Sequence, residues 1–214
     1  NSNKTNEFAG QFLVPVSDNA SELSDRDNIV FSRIKNGPVP MSEAIKTRVD
    51  LDSVKRLLER GIIMHSALTP SDASHVLGNL DAWDAIAAQK TLLIFGRMRT
   101  GSGEILSKDS DELAQRIIDQ LTDQTSEVIL ETAFGEEDID GRARDLARHT
   151  LIKKGLKHHR NIVSLDAAIN LPIIGLGASA RTYYGEVGKR LSTNTILPKY
   201  GGVANAIGAV VGQI

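Results

Sequence analysis

Apolar residues recur along this chain with two different periods, separated by short runs rich in Gly, Pro, Asn and Asp. In "DELAQRIIDQLTDQ" (111–124), Leu113, Ile117 and Leu121 fall every four residues, with Ala114 and Ile118 beside them. That spacing predicts a helix with one buried stripe. A helix is also predicted for "SVKRLLER" (53–60), with Asp52 or Ser53 as its cap and Gly61 as its stop. In "LTPSDASHVLG", Thr69 suits the N-cap, Pro70 the first helical position and Asp72 the capping partner three residues on, with Gly78 ending a short helix. The stretch 81–98, "DAWDAIAAQKTLLIFGRM", is acidic at its start and apolar around most of its circumference, which predicts a helix sandwiched in the core. A basic-ended helix is predicted over 138–155.

Strand signals lie between these helices. Phe12–Val16 is an apolar island in a polar opening, "NIVFSRI" (28–34) has strand composition and is stopped by Gly37, Pro38 and Pro40, and "EVILETAF" (127–134) is a third candidate. Towards the end come "NIVSLD", then "LPIIGLG" feeding a helix over about 179–191, then "TNTILP" and a glycine-led last helix, "GGVANAIGAVVGQI". Strands alternating with helices predict an α/β fold.

Composition narrows the function classes. With 41% hydrophobic and 24% charged residues, the 214-residue chain is long enough to bury its own core. A net charge of −2 offers no general attraction to nucleic acid or to an anionic membrane, and no apolar run reaches bilayer length. The absence of cysteine rules out disulfides and thiolate zinc sites and fits a reducing compartment, with the cytoplasm as the default. The opening "NSNKTNEFAG" has no initiator methionine, which suggests a piece of a longer protein.

The turn Gly175-Leu176-Gly177-Ala178-Ser179-Ala180 is the strongest candidate site. Small residues between a strand and a helix leave the first helical N–H groups free and let a phosphate approach the backbone. The same letters match the dinucleotide fingerprint, which also requires an acid about 20 residues on to hold a ribose hydroxyl. Asn194–Tyr200 contains none, and too little chain follows for the rest of such a domain. Glycines chosen for packing alone are the plain alternative. Asp72 and His75, three residues apart, share a helical face and are candidates for acid–base work, against the simpler role of Asp72 as a cap. None of His65, His75, His149, His158 and His159 forms an H-x-x-x-H zinc pair, so no metal site is predicted. One of Tyr183 and Tyr184 could shield a base, although a ring facing the core is the simpler expectation. Ala204, Ala206, Gly208 and Ala209 suggest a helix face kept small to press on the sheet.

The succession "PIIGLGASA … ILPKYGGVANAIGAVVG", together with "RGIIMHSALTPSDASHVLGNLDAWDAIAAQ", resembles the carboxyl-terminal portion of proteins of the hydantoinase/oxoprolinase family, members of the actin-like ATPase superfamily. The resemblance implies a ribonuclease H-like subdomain, a mixed sheet flanked by helices, over 28–214 with a helical insertion at about 50–125, while the Asn-, Ser- and Asp-rich opening predicts a linker or tail over 1–27. The resemblance further implies ATP and magnesium in the parent protein, with Gly175, Gly177, Ala178 and Ser179 lying against the nucleotide. The implied partners are a cyclic amide substrate and a second hydantoinase/oxoprolinase subunit. The superfamily's early Asp-x-Gly-Gly-Thr hairpin is missing here, so the chain is expected to be inactive alone. A non-catalytic regulatory or assembly domain is the competing expectation, and a dinucleotide-binding domain a further one.

Overall fold

The computed structural model describes residues 8–17 and 22–212, a mixed α/β chain dominated by helices. The chain divides into two compact units, one ending at Ala114 and the other beginning at Gln115. In order, the elements are β1 (Phe12–Pro15), α1 (Asp25–Ile34), β2 (Val39–Pro40), α2 (Met41–Ala44), α3 (Arg48–Glu59), β3 (Ile63–Ser66), α4 (Pro70–Val76) and α5 (Ala85–Gly96). Then come α6 (Ser110–Glu136), α7 (Ala143–Ala147), α8 (Thr150–Leu156), β4 (His159–Arg160), β5 (Ser164–Leu165), β6 (Ile173–Ile174), α9 (Ala180–Arg190), β7 (Thr195–Ile196), a 3-10 turn (Gly201–Val203) and α10 (Ala204–Val211).

In the first unit, β1 is the middle strand of an antiparallel sheet ordered β2-β1-β3, with Leu13 paired to Val39 on one side and His65 on the other. Leu13 is fully buried with Val30, Ile34, Val54 and Leu57. The apolar island of the opening is therefore sheet core, and the predicted boundary at 27/28 falls inside α1. Residues 1–7 and 18–21 of the predicted tail lie outside the described residues.

The strand predicted over 28–34 is helical. Ser24 Oγ accepts from the Asp27 N–H as an N-cap, and Val30, Phe31 and Ile34 recur at helical spacing on the buried face. α1 packs against α3, whose start is Thr47 rather than Asp52 or Ser53; Asp50 completes a capping box there. Gly61 ends the segment at φ +65°, a conformation glycine adopts without strain. Two buried carboxylates tie these helices together. Asp27 is held by Arg56 at 2.7 Å and Asp50 by Arg33 at 2.9 Å. The Arg56 hydrogen bond holds the Asp27 carboxyl down at about 2, and the Arg33 guanidinium with the Lys46 and Thr47 N–H groups holds Asp50 further below the carboxylate range.

α5 is shorter than predicted and is capped by Asp84, whose side chain accepts from the Ile86 and Ala87 N–H groups. Only Ala88, Leu92 and Gly96 of it are buried, while Ile86 is exposed, so the predicted sandwiching does not hold. The strand predicted over 127–134 is the last part of the 27-residue α6. Thr122, Ser126 and Leu130 continue the four-residue stripe from Ile118, and the Thr122 and Ser126 hydroxyls donate to carbonyls one turn back. Helical continuity outweighs the local β preference of Val128 and Ile129.

In the second unit the predicted helix over 138–155 is two short ones, α7 and α8, and the latter is followed by the β4–β5 hairpin. The core gathers Leu130, Ala147, Leu156, Ala167, Ile173, Val187 and Leu191. β6 and β7 pair in parallel, Ile173 opposite Thr195 and Ile174 opposite Ile196, with α9 as the connection. No residue of α10 is buried, so its small side chains press on no sheet among the described residues.

Candidate functional site

The unit β6–α9–β7 is a parallel strand-helix-strand module, and the glycine turn sits where β6 hands over to α9. In α/β architectures this edge, beyond the carboxyl end of a strand and at a helix's amino end, is where anionic ligands meet backbone N–H groups. Each predicted residue of the turn has a distinct position. Gly175 donates its N–H to the Ile196 carbonyl at 2.9 Å, extending the parallel ladder. A Cβ on it would lie 2.6 Å from Leu197 Cδ2 and 3.3 Å from the Tyr184 ring, so its small size serves the protein's own packing. Gly177 donates to the Gly201 carbonyl at 2.9 Å and stands at φ +103°, a backbone conformation that demands glycine, with open space around its missing side chain. The N–H groups of Gly175 and Gly177 are thus spent on the fold.

Ala178 and Ser179 differ. Their N–H groups have no acceptor among the described residues, and the Ser179 side chain makes no capping bond. Ser179 is helical, at φ −86° and ψ −7°, where its hydroxyl is not placed to reach the next turn as an extended cap residue does. The open amino end of α9 is therefore made by Ala178 and Ser179, two of the four residues singled out from the sequence. Arg181, in the first turn of α9, donates to the Lys199 carbonyl at 3.0 Å and so ties the helix start to the segment after β7. Gly201 and Arg181 are the participants that sequence reasoning missed; the diglycine of "YGGV" was the available signal for the first. Tyr183 and Tyr184 meet with ring centres 4.9 Å apart and planes tilted by 58°, and both pack on the core of the unit, as the simpler expectation had it. Burial raises the Tyr184 phenol.

At the other end of α9 lies a charged cleft of about 390 Å³ lined by Asp123, Lys157, His158, Glu186 and Lys189. Its charges neutralise one another. Arg190 binds Asp123, Lys189 meets Glu186 at 2.6 Å, and His158 donates from its ring to Asp166 at 2.9 Å. The His158-His159 pair is thus divided, His158 bonding to Asp166 and His159 lying in β4.

Asp72 and His75 are both on α4 in the first unit, and they have different surroundings. Asp72 Oδ2 accepts from the Thr69 N–H and hydroxyl, both at 2.7 Å, which is the cap read from the sequence. His75 is 4% exposed, and neither ring nitrogen has a hydrogen-bond partner. Leaving such groups buried and unpaired costs about 1–3 kcal/mol each. Its ring lies against Trp83 with centres 5.4 Å apart. No group of three His, Asp or Glu side chains among the described residues is placed to hold a metal ion, and no described helix is long and apolar enough to cross a membrane.

Comparison of the chain with protein-family patterns, curated proteins and solved structures returns no match. The functional reading therefore stands on residues and geometry.

Proposed function

We propose that this chain is the carboxyl-terminal part of a hydantoinase/oxoprolinase-type hydrolase, which couples ATP hydrolysis to the opening of a cyclic amide ring in the cytoplasm. The observation that carries the reading is the open amino end of α9 inside a parallel strand-helix-strand unit, with the Ala178 and Ser179 N–H groups unpaired among the described residues. A phosphate oxygen of ATP suits those donors, because the helix dipole and the free amides both favour negative charge. Gly175 and Gly177 serve this site indirectly, by shaping the turn. β6 and β7 would be neighbouring strands of a ribonuclease H-like sheet whose remaining strands belong to the parent protein.

The residues present suit the phosphate and not the magnesium ion. The turn from Gly175 to Ala180 has no carboxylate, and the Asp-x-Gly-Gly-Thr hairpin that supplies one in the superfamily is missing from the sequence. The chain alone would then bind nucleotide without turning it over, the remainder of the site and a second subunit completing the enzyme.

Amide NMR of this chain titrated with ATP and magnesium tests the reading. The expected result is a saturable shift of the Ala178 and Ser179 resonances that NAD does not reproduce. Tighter binding of NAD would transfer the turn to dinucleotide recognition. Silence of both amides towards both ligands at millimolar concentration would overturn the nucleotide reading and favour a regulatory or assembly domain.

A further inference from the structure

The whole-chain charge of −2 conceals a strongly basic stretch. From Arg142 to Val163, through α7, α8 and the β4–β5 hairpin, stand seven Lys and Arg residues and one acid, Asp145. α8 packs against α7 and against both hairpin strands, so the stretch forms one continuous part of the second unit. All seven bases are exposed. Lys153, Lys157 and Arg160 meet Glu127, Asp123 and Asp166, whereas Arg142, Arg144, Arg148 and Lys154 have no carboxylate partner among the described residues. The stretch ends on an apolar tip. The hairpin turns over Asn161, Ile162 and Val163, and the Asn161 N–H donates to the Val163 carbonyl at 3.3 Å. Short hairpin turns favour Gly, Asn and Asp, yet two of these three positions carry β-branched aliphatic side chains. Ile162 is fully exposed and Val163 is 57% exposed. Below the tip, Arg160 donates to both Asp166 carboxylate oxygens at 2.7 Å and to the Leu165 carbonyl at 3.1 Å, which fixes the hairpin. On α8, the exposed Leu151 lies one turn before Lys154.

We propose that this surface docks on an anionic lipid membrane, with Ile162 and Val163 entering the headgroup region and the bases facing its negative charge. A membrane surface is apolar at depth and anionic at its rim, and the tip and the bases match those two layers. Exposed charges act over about 8 Å at physiological salt, so a base beside the tip contributes without touching a headgroup. Nucleic acid would meet the same bases. It offers an aliphatic tip nothing to bury against, however, and residues 142–163 include no Phe, Tyr or Trp on which a nucleotide base could stack. Two aliphatic side chains and a few bases give a reversible attachment rather than a span, in keeping with the lack of any described helix long and apolar enough to cross a membrane. The inference stands apart from the function proposed above, since it uses neither the glycine turn nor its amides.

Sedimentation of the whole chain with phosphatidylcholine vesicles, with and without phosphatidylserine, tests the proposal. The expected result is binding to the phosphatidylserine vesicles that weakens as salt rises, and none to phosphatidylcholine alone. Ile162→Asp removes no packing, because the side chain is fully exposed, and should weaken binding about tenfold or more. Lys154→Ala should weaken it about fivefold. Lys55→Ala, which removes an exposed base of α3, should leave it unchanged. The chain has no cysteine, so Ile162→Cys takes a single environment-sensitive dye, whose emission should shift to the blue on phosphatidylserine vesicles. No binding to phosphatidylserine vesicles, equal binding to both kinds, undiminished binding by Ile162→Asp, or a dye unmoved on bound vesicles overturns the proposal. Tighter binding to duplex DNA that Ile162→Asp leaves intact also overturns it, and assigns the bases to nucleic acid.

Discussion

Two helix beginnings in this molecule are built from similar small and polar residues and end in opposite states. At α4, Thr69 is extended, at φ −127° and ψ 162°, and Asp72 returns to bond both its N–H and its hydroxyl. At α9, Ser179 is already helical, no carboxylate follows within the first turn, and the Ala178 and Ser179 N–H groups stay open. A helix that closes its own positive end leaves nothing for a ligand, whereas one that leaves it open exposes donors an anion can use. α3 repeats the closed arrangement with Thr47 and Asp50. The contrast separates a residue pattern that folds the chain from one available to bind.

The strongest way to break the comparison is at the closed end of α3. Asp50→Ala removes both the capping carboxylate and the partner of Arg33, and should cost about 3 kcal/mol in chemical denaturation. Acid probes the same closure without mutation. Asp27, held down at about 2 by Arg56, and Asp50, held lower still by Arg33, stabilise the fold while ionised. Their contribution is complete above the ordinary carboxylate range and falls away as the pH drops from about 4 towards 2, a loss on the order of 1–2 kcal/mol for Asp27. Thermal melts across that range would show it, and a flat profile would contradict it.

Smaller effects sharpen the contrast. Asp72→Ala should destabilise by about 1 kcal/mol, the ordinary worth of an N-cap, and leave the nucleotide response at Ala178 unchanged. Ser179→Asp should act in the opposite sense on each count. A carboxylate at the open end of α9 gains about 0.5 kcal/mol from the helix dipole and repels phosphate, so a higher melting temperature should accompany lost ATP shifts. Ser179→Ala should change stability by less than about 0.5 kcal/mol, since its hydroxyl caps nothing. A larger loss would mean that the end of α9 is closed in solution.

The two closures also explain what could be read in advance. Thr69-Pro70-x-Asp72 was legible because a capping box is a local device, fixed by spacing and bond geometry over four residues. Thr47-x-x-Asp50 obeys the same rule, but the buried apolar run of α3 begins only at Val54, so the local pattern marks the helix start several residues late. The segments 28–34 and 127–134 have the Val, Ile and Phe content of strands, yet Val30, Phe31 and Ile34, and likewise Ser126 and Leu130, lie on helical faces. β preference reflects how a side chain fits its neighbours, and those neighbours are assigned by the fold.

From sequence alone came the mixed α/β class, the glycine turn leading into α9, the cap of α4 and the helical stripe through Leu113 and Ile118, all consequences of short-range sterics and hydrogen bonding. Tertiary structure decided which amides of the turn are spent on Ile196 and Gly201 and which remain open, and it buried the His75 ring without a hydrogen-bond partner among the described residues. Those outcomes depend on segments distant in the sequence meeting at hydrogen-bond or van der Waals range, and local pattern carries no record of such meetings.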